Sequence, residues 1–359
     1  MAGPAFEAHQ NHIDPPKVKS NDANSVIRAV RARPMNGFAF NAYVTSALFD
    51  ADGRAMFALG DGSVRFEAGA QAEAHDGAAL CAAAHPSGQG LITGGDDGQV
   101  VWSRVSGVVQ LAKVQGRWID SLAASPASGL IAFGAGRELH VRDVADSAFA
   151  RVFTHEKSVA DVAFEPKGRR LAVATYGGAA LWYARIAEQK PVHLKWAGSH
   201  IGVLFSPDAK FLMSAMQENQ LHGWRLADAK DLRMGGYPAK VKSLAFLAKG
   251  ALLATSGAPG VVVWPFGGAN GPMGKEAAEI GFDESALATR VAGTPDRTIL
   301  AAGLDDGRVW ACDLISRRIE TLKAEKGAAI SALAVSPDGS RLAWGDEEGQ
   351  AGVVELPAL

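Results

Sequence analysis

One phrase recurs eight times along this chain: an apolar run, a turn rich in Pro, Asp or Gly, and a second apolar run. The turns are FDADG (49–53), HPSG (85–88), SPASG (125–129), FEPKG (164–168), FSPDA (205–209), FLAKG (246–250), TPDR (294–297) and SPDG (336–339). With the proline position as a mark, the units are centred on Ala51, Pro86, Pro126, Pro166, Pro207, Ala248, Pro295 and Pro337, at intervals of 35, 40, 40, 41, 41, 47 and 42 residues. A period of this length means copies of one small supersecondary unit that bury their faces against each other. The 359 residues, long enough for two ordinary domains, are therefore expected to form one large repetitive fold.

The register also holds inside each unit. Seven residues before the mark stand Val44, Ala79, Ile119, Val159, His200, Val241, Ala288 and Ile330; four before it stand Ala47, Ala82, Leu122, Val162, Val203, Leu244, Val291 and Leu333. Three before it every residue is Leu or Ala. A near-continuous apolar run of this kind, closed by a turn, predicts a strand buried on both faces. A second apolar strand follows (GLITGG, RLAVATYGG, RLAWGD), then a hairpin turn such as DDGQ at 96–99 or DDGR at 305–308, then a third strand. A more polar fourth strand completes the unit, as in GVVQLAKV at 107–114 and RRIETLKA at 317–324. The 41 glycines and 16 prolines fit such a turn-dense all-β chain, and 48% hydrophobic residues supply its core.

Four short strands per forty residues make the blade of a β-propeller. The units resemble WD40 repeats, from about residue 26 to the C-terminus. That family opens its blade with a Gly-His pair eleven residues before the proline; His75 and His155 stand at that spacing, while Phe40, Gln115, Trp196, Tyr237, Glu284 and Lys326 fill the place elsewhere. The family's Trp-Asp pair is eroded: Trp224 is followed by Arg225, Cys312-Asp313 and Arg142-Asp143 keep only the acid, and Trp102, Trp182 and Trp264 fall one residue early. The resemblance implies a non-catalytic assembly platform.

The chain ends soon after the third strand of the eighth unit (AGVVEL, 351–356), and VIRAVRARPMNGF at 26–38 is a spare strand without a blade. Pairing the two closes the ring and removes both sheet edges. The expectation is thus an all-β, eight-bladed, WD40-like propeller over residues 26–359, closed by an N-terminal strand, with seven blades as the alternative. Residues 1–25, polar and aperiodic, read as a flexible tail.

Charge and motifs narrow the function. A net charge of −2 offers no global field for nucleic acid or an anionic membrane, and no apolar stretch reaches eighteen residues. Arg28, Arg31 and Arg33 read as edge-strand charges rather than a nucleic-acid stripe. Two cysteines, Cys81 and Cys312, form no disulfide framework, which points to a reducing compartment, the cytoplasm. His155-Glu156 opens like a zinc-protease helix, but Val159 replaces the second histidine and the segment enters a strand. Gly268 to Lys275 resembles a phosphate loop one residue too long, with Glu276 where a hydroxyl must bind magnesium. It reads as the linker behind the 47-residue interval. No catalytic set and no cofactor is expected. His9, His12 and Asp14 are the one metal-like cluster, on a tail without further ligands.

The leading expectation is a monomeric propeller that works within a complex, binding a protein or peptide partner of acidic character on its face. The alternatives are an enzyme with its site at the channel mouth, or a metal-handling accessory protein using His9 and His12. Residues six to nine places before the mark begin each innermost strand, where the blades converge. Most units carry small or apolar residues there, but Tyr43, Arg117, Trp118, Asp120, Lys157, His200, Lys240 and Lys242 depart from that rule. Exposed aromatics and arginines are the side chains that most often anchor an interface. Arg117, Lys157, Lys240 and Lys242 would form a basic arc, whereas His200 stands in an otherwise apolar column and could be a satisfied core histidine.

Overall fold

A computed structural model describes residues 35–356. Residues 1–34, with His9, His12, Asp14, Arg28, Arg31, Arg33 and Pro34, and residues 357–359 lie outside the described part. The described chain is an all-β propeller. Its innermost strands run through Val44–Phe49, Ala79–Ala84, Ser121–Ser125, Asp161–Phe164, the second half of Val192–Phe205, Leu244–Leu247, Ala288–Gly293 and Ile330–Val335. They surround a central channel, and each sheet continues outward in sequence order through antiparallel pairs.

The predicted burial is shifted by one strand. The second strands are the ones wholly enclosed, as in Ala55–Leu59, Leu91–Gly95, Leu130–Ala135 and Phe211–Met216. The innermost strands are half-buried (Ala79–Ala84 carries one enclosed residue) because one side faces the channel. Small residues dominate there because eight strands crowd one axis.

Hydrogen bonding gives seven sheets, the alternative above, and the expectation of eight separate blades is corrected. Six sheets have four strands each. The seventh holds the fourth and fifth units together through two fourteen-residue strands, Arg170–Tyr183 and Val192–Phe205. The first half of Arg170–Tyr183 pairs with Asp161–Phe164 and its second half with Val192–Lys195. Val192–Phe205 then continues, its last residues pairing with Phe211–Met216. The local cause lies in the turn sequences. TYGG at 175–178 lacks the Asp-Gly turn of the other hairpins and stays extended, with Gly178 at φ 136°. A Cβ there would lie 2.0 Å from the Leu194 carbonyl, so only glycine fits. Packing keeps the sequence period nonetheless: eight hydrophobic clusters separate the eight units, the one between the fourth and fifth including Ala174, Leu181, Val203 and Trp224.

The ring closes as a spare strand requires. Met35–Ala39 forms the outermost strand of the last sheet, antiparallel to Gln350–Glu355, with Met35 opposite Val354 and Ala39 opposite Gln350. Phe38 and Phe40 pack on Phe57 of the first unit at ring distances of 5.7 and 5.5 Å. The Gly268–Lys275 segment is a series of turns linking Val261–Pro265 to Ala278–Ile280.

Candidate partner-binding face

The two mouths of the channel are made by the two ends of the innermost strands. At the starting end, Ile119 is fully enclosed among Ile92, Phe133 and their neighbours, and its amide donates to the Gly95 carbonyl at 3.0 Å. Pinning Ile119 inward turns its neighbours outward. Trp118 is 65% exposed. With Arg117, Asp120, Gly116, Gly136, Ser158 and Val159 it lines a cleft of about 310 Å³ between the third and fourth units. The Arg117 side chain crosses Gly136, where an added Cβ would meet it at 3.6 Å. The Val159 amide donates to the Gly136 carbonyl at 2.8 Å, which holds the far wall.

Of the sequence candidates, the cleft therefore unites Arg117, Trp118 and Asp120. Lys157 is exposed in the loop that contributes Ser158 to the wall. Lys242 is exposed and Lys240 half-buried at the start of the sixth unit, while Tyr43 is 39% exposed at the start of the first; none of these three lines the cleft. His200 is corrected as a contact residue. It is 0% exposed, with Nε2 3.2 Å from the Trp196 carbonyl and Nδ1 2.8 Å from the Ser214 hydroxyl. A carbonyl only accepts, so Nε2 carries the proton and Nδ1 accepts from Ser214. Burial lowers its pKa and favours this neutral ring. His200 follows its column, since Val44, Ala79, Ile119, Val159, Val241, Ala288 and Ile330 at the same place are buried as well.

Three groups escaped the sequence reading. Tyr176, 65% exposed, stands in the TYGG segment opposite Ser199, on the strand-start face; an aromatic at a glycine turn was its signal. Asp161 lines the inner wall, where burial pushes its carboxyl up to about 6 although Oδ2 accepts from the Val203 amide at 2.9 Å. Burial raises the Asp120 carboxyl as well. Arg290, half-buried on the seventh innermost strand, is the third.

The opposite mouth has different chemistry. Its cleft is larger, about 500 Å³, and lined by Pro166, Pro207, Pro295, Leu204, Leu244, Val335 and other apolar groups. The residue before each mark there is often a buried polar one that ties the turn. Glu165 accepts from the Arg170 amide and guanidinium, and the Ser206 and Ser336 hydroxyls accept from the amides of Phe211 and Arg341. Different residue types do the same task, so no single-letter signature marked the column.

The blade network survives most fully in the second unit. Asp97 Oδ1 lies 3.0 Å from His75 Nδ1, and Thr93 Oγ1 lies 2.8 Å from His75 Nε2. Trp102 stays outside it, donating instead to the Gln89 carbonyl. The sixth unit replaces histidine by tyrosine: Trp264 Nε1 donates to the Tyr237 oxygen at 2.6 Å, whose hydroxyl pairs with Thr255 at 2.7 Å.

Comparison with known proteins agrees with this distribution. Residues 70–102, the second unit, match the family described as WD domain, G-beta repeat. No curated protein matches the chain in sequence. The crystal structure of the computationally designed Ika8 protein superposes with a TM-score of 0.70 at 16% identity, covering 89% of this chain and 98% of that one; at this identity the likeness is one of fold. Residues 70–102, with the His75–Thr93–Asp97 network inside them, are thus a WD40-type repeat in a chain that folds as a β-propeller.

Proposed function

We propose that this propeller is a non-catalytic interaction scaffold that binds an acidic protein or peptide segment on its strand-start face. The observation that carries the reading is Trp118, exposed beside Arg117 at the rim of a cleft whose walls are pinned by backbone hydrogen bonds. A rigid aromatic beside a guanidinium contributes large contact area at low ordering cost, the usual make-up of an interface anchor. Lys157, Lys240 and Lys242 extend positive charge around the same face and would steer an acidic segment toward it. WD40 propellers generally serve as protein-binding platforms, which supports the class of function while leaving the site to these residues.

We place the protein in the cytoplasm as a single propeller within a complex. Cys81 and Cys312 are free, and burial pushes the Cys312 thiol up to about 12, so both act as packing groups. No described helix is long and apolar enough to cross a membrane. The test is binding of the co-purifying partner to the native chain and to a Trp118→Ala, Lys240→Glu variant. The variant folds and loses the partner at least thirtyfold, about 2 kcal/mol, on this reading. Unchanged binding would move the site to the opposite mouth or the rim.

A further inference from the structure

We propose that Arg290 is a carboxylate anchor inside the channel, taking an aspartate or glutamate side chain that a partner inserts through the strand-start mouth. The proposal rests on the reading of that mouth as the partner-binding end. Arg290 stands on the innermost strand Ala288–Gly293. The Thr289 hydroxyl donates to the Ile330 carbonyl at 2.8 Å, clamping this strand to the next unit. Arg290 Nε donates to the Ser331 carbonyl at 2.6 Å and Nη1 to the Thr289 carbonyl at 3.0 Å. These two bonds orient the guanidinium but do not neutralise it.

The remaining edge of the fork is unused. Nη2 has no hydrogen-bond partner among the described residues, and it is not among the sealed, unsatisfied polar atoms, so it opens onto solvent-accessible space. No described carboxylate forms an ion pair with Arg290. Other half-buried arginines differ: Arg170 pairs with Glu165, Arg308 with Asp306, and Arg341 with Glu67. A guanidinium held in a desolvated wall without a counter-ion is costly, and a carboxylate arriving at Nη1 and Nη2 would complete a forked pair.

The charges around it indicate the route. Burial lowers the Arg290 pKa, and Tyr43 and Glu347 are the groups that counter this. Tyr43 precedes the first innermost strand, and the Glu347 amide donates to Ala329, just before the eighth. Both stand at the strand-start mouth. Glu347 is exposed and leaves the fork open. Asp120 and Asp161 belong to the third and fourth units, so a carboxylate is favoured at the Arg290 wall and repelled from theirs. A strut role alone, joining the seventh and eighth units, accounts for Nε and Nη1 but not for the free edge.

The experiment uses the full chain with blocked hexaglutamate, blocked hexaglutamine and inorganic phosphate as probes, read by calorimetry. Hexaglutamate is expected to bind at least tenfold more tightly than hexaglutamine. Arg290→Met, which keeps the packing stem, should lose that preference, and Arg290→Lys, which keeps charge but not the fork, should retain part of it. Hexaglutamate binding unchanged in Arg290→Met overturns the proposal. If that variant melts early, unchanged binding in folded Arg290→Lys overturns it equally. Phosphate binding without hexaglutamate binding also overturns it, leaving a small-anion site only. The Trp118→Ala, Lys240→Glu variant separates the two readings. If it loses hexaglutamate while Arg290→Met does not, the face stands and the anchor falls; if neither loses it, both fall.

Discussion

The two mouths of the channel are made by opposite ends of the same eight strands, yet they are built to different rules. At the turn end, Pro166, Pro207 and Pro295 converge on an apolar cleft, and buried polar side chains such as Glu165, Ser206 and Ser336 are spent on holding turns. At the start end, backbone bonds such as Ile119 to Gly95 and Val159 to Gly136 fix the frame, which leaves Arg117, Trp118 and Lys157 free of structural duty. The larger cleft is thus the structural one. The proposed recognition site lies at the start end, beside Ile119 and Val159, where these backbone bonds leave Trp118 and Arg117 exposed.

Both mouths depend on ring closure, so breaking it should produce the largest effect. Removing residues 1–39 takes away Met35–Ala39 and exposes the edge of Gln350–Glu355. An unpaired edge at a seam that also loses Phe38 against Phe57 should aggregate or unfold without cooperativity. Sedimentation and thermal melts check this; a truncated chain that stays monomeric with an unchanged melt would refute the closure account.

Acid comes next, and it should act on the buried histidines and on the buried Asp161 in opposite senses. Burial lowers His85, just before Pro86 at the turn end, to about 4, and likewise His155 to about 4 and His222 to about 3. The unfolded chain takes up these protons near pH 6.5, so stability is lost as pH falls from there towards 4. Asp161 runs the other way. Its folded value of about 6 lies above the unfolded one, so its contribution is present below pH 4 and lost as pH rises through 6. Three histidines against this one carboxyl leave a net loss on the order of 6 kcal/mol between pH 7 and pH 4, before solvent screening. Denaturant midpoints at several pH values check the profile: His85→Gln should flatten it, and Asp161→Asn should raise stability at pH 7. A profile untouched by His85→Gln would contradict the assignment.

A smaller effect separates the ends directly. Glu165→Ala removes the carboxylate that holds both the Arg170 amide and its guanidinium at the Pro166 turn. Because Arg170 is partly solvated, the expected cost is about 1–2 kcal/mol. Partner binding at the other mouth should stay unchanged. A loss of binding in this folded variant would show that recognition uses the turn end after all.

The repeat made most of the architecture legible, since strand ends follow from the turn spacing and closure follows from an unpaired strand at each terminus. The join of the fourth and fifth units was not legible. TYGG can close a hairpin or pass through as a bulge, and only the neighbour at Leu194 decides which. His200 misled because its polar type suggested a contact, whereas its column, buried in every unit, was the better guide. Arg290 was hidden because residues facing a narrow channel share the spacing of residues facing a core. Trp118 and Arg117, by contrast, stood out because a bulky pair interrupts a column of small residues next to a fixed Ile119.

That contrast between neighbours yields the smallest expected change in stability. Ile119 is fully enclosed, and Ile119→Ala should cost about 2–4 kcal/mol by leaving a cavity against Ile92 and Phe133. Trp118, one residue earlier, has most of its surface in solvent already. Trp118→Ala removes little buried area, so its effect on stability should stay within about 0.5 kcal/mol. Paired melts of the two variants check the difference. A Trp118→Ala variant that melts as early as Ile119→Ala would mean that the indole fills a structural gap rather than standing free for a partner. A near-silent melt combined with lost partner binding would leave recognition as the one task that this exposed indole performs.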